Sequence, residues 1–397
     1  MPSGEELLGG EAQRIGSKTA EPSRIFHHIS GREEIFTVKM DGYQEAFGEV
    51  MKIIGEDLVP DIFAHRLVQG GTVFRTDAII ERSSFPSLEK IKDLAPLHNP
   101  PVVGLIKECD RKYPDTPQAI ILDTSFHSTI PEYAYSYLLP QSITDELGIR
   151  KYGFHGISHQ YVSEEAAKFL NIPPEKFNGV SCHLGSGGAS LCAIVDGRSV
   201  DNSMGFSPLQ GLMMSTRSGD LDPAVILKMI AYSTGDFSKV SNILNKESGV
   251  LGMSGTSSDI RDIISKISYD ERSEITFDVY LWRIKKYLGS YLTVIGRKDA
   301  IIFTDTIGES IPAVRELVCA NMDFFGMKLD NWKNNSITGY PIDIASPDSK
   351  VRILVMKTNE ELAIARRAYQ LLSAHDTEPF KRKNRKPIHE KSNCLNS

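Results

Sequence analysis

Short apolar runs alternate with stretches of helical periodicity along most of the chain, which is the pattern of an α/β protein. Residues 119–122 (AIIL) predict a buried strand that ends at Asp123. Residues 179–183 (GVSCH) and 190–195 (SLCAIV) predict two strands around the turn LGSGGA, and Asp196-Gly197 turns the chain again. Residues 300–304 (AIIFT) predict another buried strand, followed by a glycine-containing loop and a helix through 314–318. One more strand is predicted at 352–356, then a helix over 359–372 capped by Thr358 or Asn359. Strands ending in Asp, His or Gly ahead of a helix place polar residues at the carboxyl edge of a sheet. Open α/β sheets bind ligands at that edge.

With 397 residues the chain is long enough for two or three domains with large cores. Lys and Arg total 45 against 51 Asp and Glu, and the resulting net charge of −6 excludes a general nucleic-acid coat. A hydrophobic share of 41% with 24% charged residues is that of a folded globular protein. No apolar stretch is long enough to span a bilayer. The opening segment carries Glu5, Glu6 and Glu11 and no apolar h-region, which argues against a secretory signal. The five cysteines are scattered and lack a C-x-x-C pair, the usage of a reducing cytosol with no zinc site. Cys182 and Cys192 accordingly read as small buried strand residues, not as a disulfide. The basic run KRKNRK at 381–386 reads as a solvated, disordered tail.

The segment richest in chemistry is CHLGSGGAS at 182–190. Gly185, Gly187 and Gly188 let the backbone approach a polyanion, and successive N–H groups can form an anion nest. Taken alone it is equally a glycine-rich hairpin turn. It is neither a Walker A loop, since no Gly-Lys-Ser/Thr follows, nor a Rossmann fingerprint. In MSTRSGDLDP at 214–223, Arg217 sits among small polar residues; in AHRLVQGG at 64–71, Arg66 precedes a Gly-Gly. Each arginine by itself also fits a surface ion pair. A guanidinium beside glycine-rich backbone is nevertheless what a bidentate grip on carboxylate or phosphate requires. Asp123 ends a buried strand, where a carboxylate can orient a nucleophile or a metal. His155, between Phe154 and Gly156, reads on its own as a structural histidine.

Together these motifs resemble the acetate kinase family. The matching blocks, in family order, are HRLVQGG at 65–71, APLHNP at 95–100, LDTSFH at 122–127, YGFHGISH at 152–159 and HLGSGG at 183–188. They continue with SMGFSPLQGLMMSTRSGDLDP at 203–223, SGTSSDIRDI at 254–263, FTDTIGES at 303–310 and TNEELAIAR at 358–366. The long block at 203–223 is the most specific.

The resemblance implies an α/β architecture of two ribonuclease-H-like domains, the acetate and sugar kinase/actin-like fold, around a nucleotide cleft. It implies an N-terminal domain over 1–123, completed by a helix at 359–374, a nucleotide-binding domain over 124–358, and the tail at 377–397. The implied activity is reversible phosphoryl transfer from ATP to acetate, giving acetyl phosphate and ADP, with Mg²⁺ or alternatively Mn²⁺. Arg66 and Arg217 would hold the acetate carboxylate and the transferring phosphate, and His155 would donate to phosphoryl oxygens. Asp123 would orient the acceptor or, through water, the metal, and Glu360 would bind Mg²⁺. Val68, Leu97, Phe154 and Pro208 match a small apolar pocket for the methyl group. His183, Leu184, Gly185, Ser186 and Gly187 would face the phosphates, and Asp259, Ile260 and Arg261 the nucleoside. Thr306, Ile307, Gly308, Glu309 and Ser310 would meet the adenosine or its phosphate edge. A cytoplasmic homodimer without nucleic-acid or membrane partners completes the expectation. Two alternatives remain: an acyl kinase preferring propionate or butyrate, and a truncated, impaired relative that only binds nucleotide.

The chain departs from the family pattern in places. The family opens with a strand and phosphate loop, N-A-G-S-S-S-x-K, that has no counterpart here. The start, SGEELLGGEAQRIGSKTA, is similar to the part following the first hairpin, so residue 1 is expected to lie roughly twenty residues inside the usual domain. A late start or a truncation would remove a central strand and phosphate contacts, one such donor being worth about 10²–10³ in rate. Asp305 and Thr306 replace Ala and Gly, Ser186 replaces Asn, and Gln69 and Thr72 replace His and Glu.

Overall fold

The computed structural model describes residues 6–16, 21–29, 32–55, 59–95 and 98–375. Leu97 and the basic run at 381–386 lie outside the described residues. Strands β1 (Leu8–Gln13), β2 (Arg24–Ile29) and β3 (Arg32–Thr37) form an antiparallel meander. Strands β4 (Phe63–Leu67), β5 (Ala78–Ile80) and β6 (Gln118–Leu122) form a second sheet in the order β4-β6-β5, with β4 and β6 parallel.

The third sheet has six strands: β7 (Gly179–Leu184), β8 (Ala189–Val195), β9 (Arg198–Asn202), β10 (Ala300–Thr304), β11 (Ile342–Asp343) and β12 (Arg352–Val355). Their spatial order is β11-β12-β10-β7-β8-β9. An antiparallel meander of β7, β8 and β9 followed by β10 and β12 running parallel to β7 is a ribonuclease-H-like sheet.

The strand sequences read as continuous apolar runs because both faces of this sheet are covered. Val180, Cys182, Leu184, Leu191, Ala193, Ile301, Phe303, Ile353 and Val355 point into a core shared with the helix Glu271–Val294. The residues between them, Cys192, Ile194, Ala300, Ile302 and Leu354, point the other way, onto Val162, Ala166 and Ala167 of the helix Gly156–Phe169. The period of two thus assigns each side chain to a core. It also settles the cysteines. In the β7–β8 register Cys182 lies opposite Leu191, and Cys192 opposite Ser181, so the two thiols face opposite cores. Both are free, and burial pushes the Cys192 thiol up to about 12.

The same logic organises β6. Ile120 and Leu122 pack with Leu67, Val103 and Ile106, the last two from the helix Asn99–Lys112. Ala119 and Ile121 pack with Ile157 and with Ala363 and Ala368 of the helix Glu360–His375. This last helix therefore covers the sheet that carries Arg66 and Asp123. Among the described residues no helix is long and apolar enough to cross a membrane.

One local expectation is corrected. The glycine-containing loop predicted after β10 is instead a helix, Asp305–Ser310, before a second helix at Pro312–Cys319. Side chains stabilise it from both ends. Asp305 Oδ1 accepts from Thr306 N at 2.6 Å and Glu309 Oε1 from Asp305 N at 2.8 Å. The buried Arg315 donates to the carbonyls of Gly308 and Glu309 at 2.9 and 2.8 Å. Gly308 is thus tolerated inside a helix that tertiary contacts impose.

Candidate active site

Parallel pairing of β4 with β6 places Arg66 and Asp123 side by side at the carboxyl edge of their sheet. The ladder runs on past the strands, with Asp123 N donating to Leu67 O at 3.1 Å. The Arg66 guanidinium forks onto the carboxylate, Nε to Oδ1 at 3.0 Å and Nη2 to Oδ2 at 2.7 Å. Asp123 is 2% exposed, and both of its carboxylate oxygens are taken by this one guanidinium. Asn359 Oδ1 accepts from Leu362 N at 2.9 Å and so caps the last helix, setting Glu360 in its first turn. Glu360 Oε2 reaches to 3.7 Å from Arg66 Nε. Two carboxylates thus share one guanidinium. Burial and then the Asp123 charge raise the Glu360 carboxyl above its ordinary value, against the pull of Arg66.

His155 caps the helix Gly156–Phe169 in a left-handed conformation, φ +57°, which a non-glycine residue adopts only when its surroundings require it. Gly156 is the reason. Its N–H donates to Asp123 O at 2.8 Å, and a Cβ there would come within 2.2 Å of that oxygen. This contact ties the Asp123 turn to the His155 turn.

Behind His155 lies a hydrogen-bonded set of histidines and serines. His155 Nδ1 is bonded to Ser190 Oγ at 2.8 Å, and the same oxygen to His159 Nε2 at 2.8 Å. His159 Nδ1 is bonded to Ser181 Oγ at 2.9 Å. The His155 ring stacks on His183 with centroids 4.2 Å apart. Burial first, then His183, His159, Arg66 and Arg217, hold the His155 pKa well below 6.5. The imidazole is neutral at pH 7.

Arg217 approaches from a different segment. Nη1 donates to Pro208 O at 3.0 Å and Nη2 to Gly187 O at 3.4 Å. Among the described residues no carboxylate is paired with it, and burial alone lowers its pKa. A Cβ built on Gly188 would lie 3.3 Å from Arg217 Nη2 and 3.4 Å from His155 Nε2, so both groups converge on the glycine turn. Phe154 belongs to the core cluster against which Val68 packs, and Pro208 supplies the carbonyl that Arg217 holds.

The remaining expected contacts are distributed as follows. Ser186 N on the turn between β7 and β8 donates to Thr306 Oγ1 at 3.0 Å, joining two of the expected nucleotide segments. Gly185, Ser186, Ile260 and Ile307 line one crevice with Met213 and Tyr280. Arg261 does not point there: its guanidinium folds back onto Asp259, Nη2 to Oδ2 at 2.5 Å, at an exposed position. Glu309 is turned inward, Oε1 accepting from Asp305 N and from Thr358 N at 3.3 Å. His98 was not among the expected residues. Partial desolvation and then the charges of Arg66 and Arg217 lower its pKa, so it lies within electrostatic reach of both arginines. Its one signal in the sequence is its position in APLHNP.

Among the described residues no group of three or more His, Cys, Asp and Glu side chains forms a ready metal cage. The donor chemistry nonetheless fits Mg²⁺, which keeps part of its water shell and takes one or two carboxylates plus substrate phosphates. Asp123 and Glu360 supply two such carboxylates within reach of one guanidinium.

The buried imidazoles carry a stability consequence. Burial lowers His65 and His127 to about 4, and His155 and His159 well below 6.5. Folded imidazoles then bind fewer protons than unfolded ones between about 4 and 6.5. Their contribution is complete above 6.5 and is lost as pH falls through that window. From pH 7 to pH 5 this removes about 2 kcal/mol each for His65 and His127. Urea unfolding at pH 7, 6 and 5 checks it; a midpoint independent of pH contradicts it.

The model of the acetokinase family matches residues 4–366. The acetate kinase of Acetivibrio thermocellus is 41% identical over 382 residues, covering 94% of each chain. The crystal structure of Porphyromonas gingivalis acetate kinase superposes with a TM-score of 0.86 at 35% identity, covering 94% of this chain and 95% of that one. A propionate kinase from Francisella tularensis gives 0.84 at 34% identity, covering 92% and 94%. Likeness of this extent in sequence and in three-dimensional structure makes the chain a member of the acetokinase family.

Proposed function

We propose that this chain catalyses reversible phosphoryl transfer between ATP and the carboxylate of acetate, yielding acetyl phosphate and ADP. The observation that carries it is the convergence of a carboxylate-free Arg217 and a neutral His155 on the glycine turn. The Arg66–Asp123 pair is tied to the His155 turn by the hydrogen bond from Gly156 N to Asp123 O at 2.8 Å.

Phosphoryl transfer leaves little covalent work to a protein, so catalysis is positioning and neutralisation of charge. Acetate is ionised at pH 7, and no strong general base is needed. Arg66 and Arg217 orient the carboxylate and the moving phosphoryl group through bidentate forks. The tautomer assignment in which Ser190 donates to His155 Nδ1 leaves an Nε2–H for a phosphoryl oxygen. Asp123 keeps Arg66 aligned. Glu360, with Asp123, would hold Mg²⁺, which when bound neutralises phosphate charge. The same reading brings ATP as donor, a cytoplasmic location and a homodimer with it, on the strength of the family resemblance.

Val68, Phe154 and Pro208 form the methyl site in this reading. One methylene in such a pocket is worth about 10–200-fold. Propionate is expected to show a kcat/KM about tenfold or more below acetate, and Val68→Ala to narrow the gap. Trapping the acyl phosphate with hydroxylamine, using ATP, Mg²⁺ and each acid, reads both points. Hydroxamate formed only when ATP and acetate are both present supports the proposal. No hydroxamate from any acid overturns it, and a preference for propionate would replace acetate as the substrate.

A further inference from the structure

Three donors beside the glycine turn, His183 Nε2, Thr306 N and Ser186 N, are engaged by the carboxylate of Asp305 and the hydroxyl of Thr306. Asp305 stands at φ +66° immediately after β10, in the left-handed region that Asp and Asn tolerate best among residues with side chains. Its Oδ2 lies 2.9 Å from His183 Nε2, and its Oδ1 accepts from Thr306 N at 2.6 Å. Thr306 Oγ1 in turn accepts from Ser186 N at 3.0 Å on the glycine turn. The carboxylate presses on that turn: a Cβ built on Gly185 would come within 2.4 Å of Asp305 Oδ2.

A closed ring of hydrogen bonds holds this arrangement. His183 Nδ1 is bonded to Ser158 Oγ at 2.9 Å, and Ser158 Oγ to Thr358 Oγ1 at 2.9 Å. Thr358 N donates to Glu309 Oε1 at 3.3 Å, and Asp305 N donates to the same oxygen at 2.8 Å. Burial opposes ionisation of Asp305, but His183 and then Thr306 bring its pKa down to about 2, so the plug is charged at any working pH.

An imidazole N–H and the backbone N–H groups of a glycine turn are the kinds of donor that receive phosphate oxygens. We propose that Asp305, with Thr306, is an intramolecular anion plug that occupies the phosphate subsite of the donor and must be displaced for a polyphosphate to bind. Asp305 thereby sets donor affinity without touching the acyl acceptor. The proposal rests on reading this turn as the site of the nucleotide's phosphates.

Displacement means breaking charge-assisted hydrogen bonds and bringing like charges together. Removing the carboxylate is therefore expected to tighten polyphosphate binding by about tenfold or more. Inorganic tripolyphosphate is titrated calorimetrically into the full chain and into the Asp305→Asn and Asp305→Gly variants. Asn keeps the shape without the charge, and Gly suits φ +66° without a side chain. Tighter binding by both variants supports the plug. Equal or weaker binding by either variant overturns the proposal. Failure of all three proteins to bind also overturns it, since the freed donors would then accept no phosphate. ADP titrated in parallel separates the two readings. Variants that gain tripolyphosphate affinity but ignore ADP keep the plug and refute the nucleotide. Equal affinity of all three proteins for tripolyphosphate and for ADP refutes the plug and keeps the nucleotide.

Discussion

Arg217→Ala is expected to lower kcat with ATP and acetate by about 10³-fold or more, without loss of thermal stability. The guanidinium is held by two backbone carbonyls, Pro208 O and Gly187 O, and among the described residues by no carboxylate. Burial therefore acts on it as an uncompensated cost, seen in its lowered pKa. A charge kept in such a place does not stabilise the fold; it waits for an anion. Removing it takes away charge neutralisation at the moving phosphoryl group while relieving the desolvation. Lysine should rescue little, because a point charge cannot reproduce a planar fork. Steady-state kinetics alongside a thermal melt provide the test. Turnover within a few fold of the parent would remove Arg217 from the reaction.

The second large effect is expected at Asp123. Asp123→Asn should reduce kcat/KM for acetate by about 10²–10³ and raise the Mg²⁺ concentration needed for half-maximal rate. Both carboxylate oxygens are spent on Arg66, so loss of the charge frees that guanidinium to swing toward Glu360, 3.7 Å away. Arg66 then loses its alignment, and Glu360 is captured by the arginine. Because Arg66 is 43% exposed, water compensates part of the broken pair, and the stability cost should be only about 1–2 kcal/mol. A Mg²⁺ titration of initial rates, with a melt as control, separates the two consequences. An unchanged Mg²⁺ requirement would mean that Asp123 serves Arg66 alone.

Much of the scaffold can be read directly from the residues. The runs AIIL, GVSCH, SLCAIV and AIIFT correspond to β6, β7, β8 and β10 because a strand buried on both faces must be apolar throughout, whatever it packs against. Asp123 at the end of one run, and the glycine turn between two others, follow from that local pattern. The helix at 359–372 was legible from its cap and its apolar spacing, within three residues at its far end. The Asp305–Ser310 segment was not. Its own propensity is that of a loop, and only the side chains of Asp305, Glu309 and Arg315, brought in by tertiary packing, hold it as a helix.

Local sequence thus determined which strands form, where the polar residues leave them, and that glycine and arginine meet in a phosphate-like setting. Tertiary structure alone decided the pairings. Arg66 finds Asp123 because β4 and β6 are neighbours; His155 finds Ser190; and Asp305 finds His183. The physical reason is range. Backbone periodicity and turn chemistry are written within a few residues of each other. A charge pair or a hydrogen-bonded histidine depends on strand order and helix docking, which bring together residues far apart in the chain.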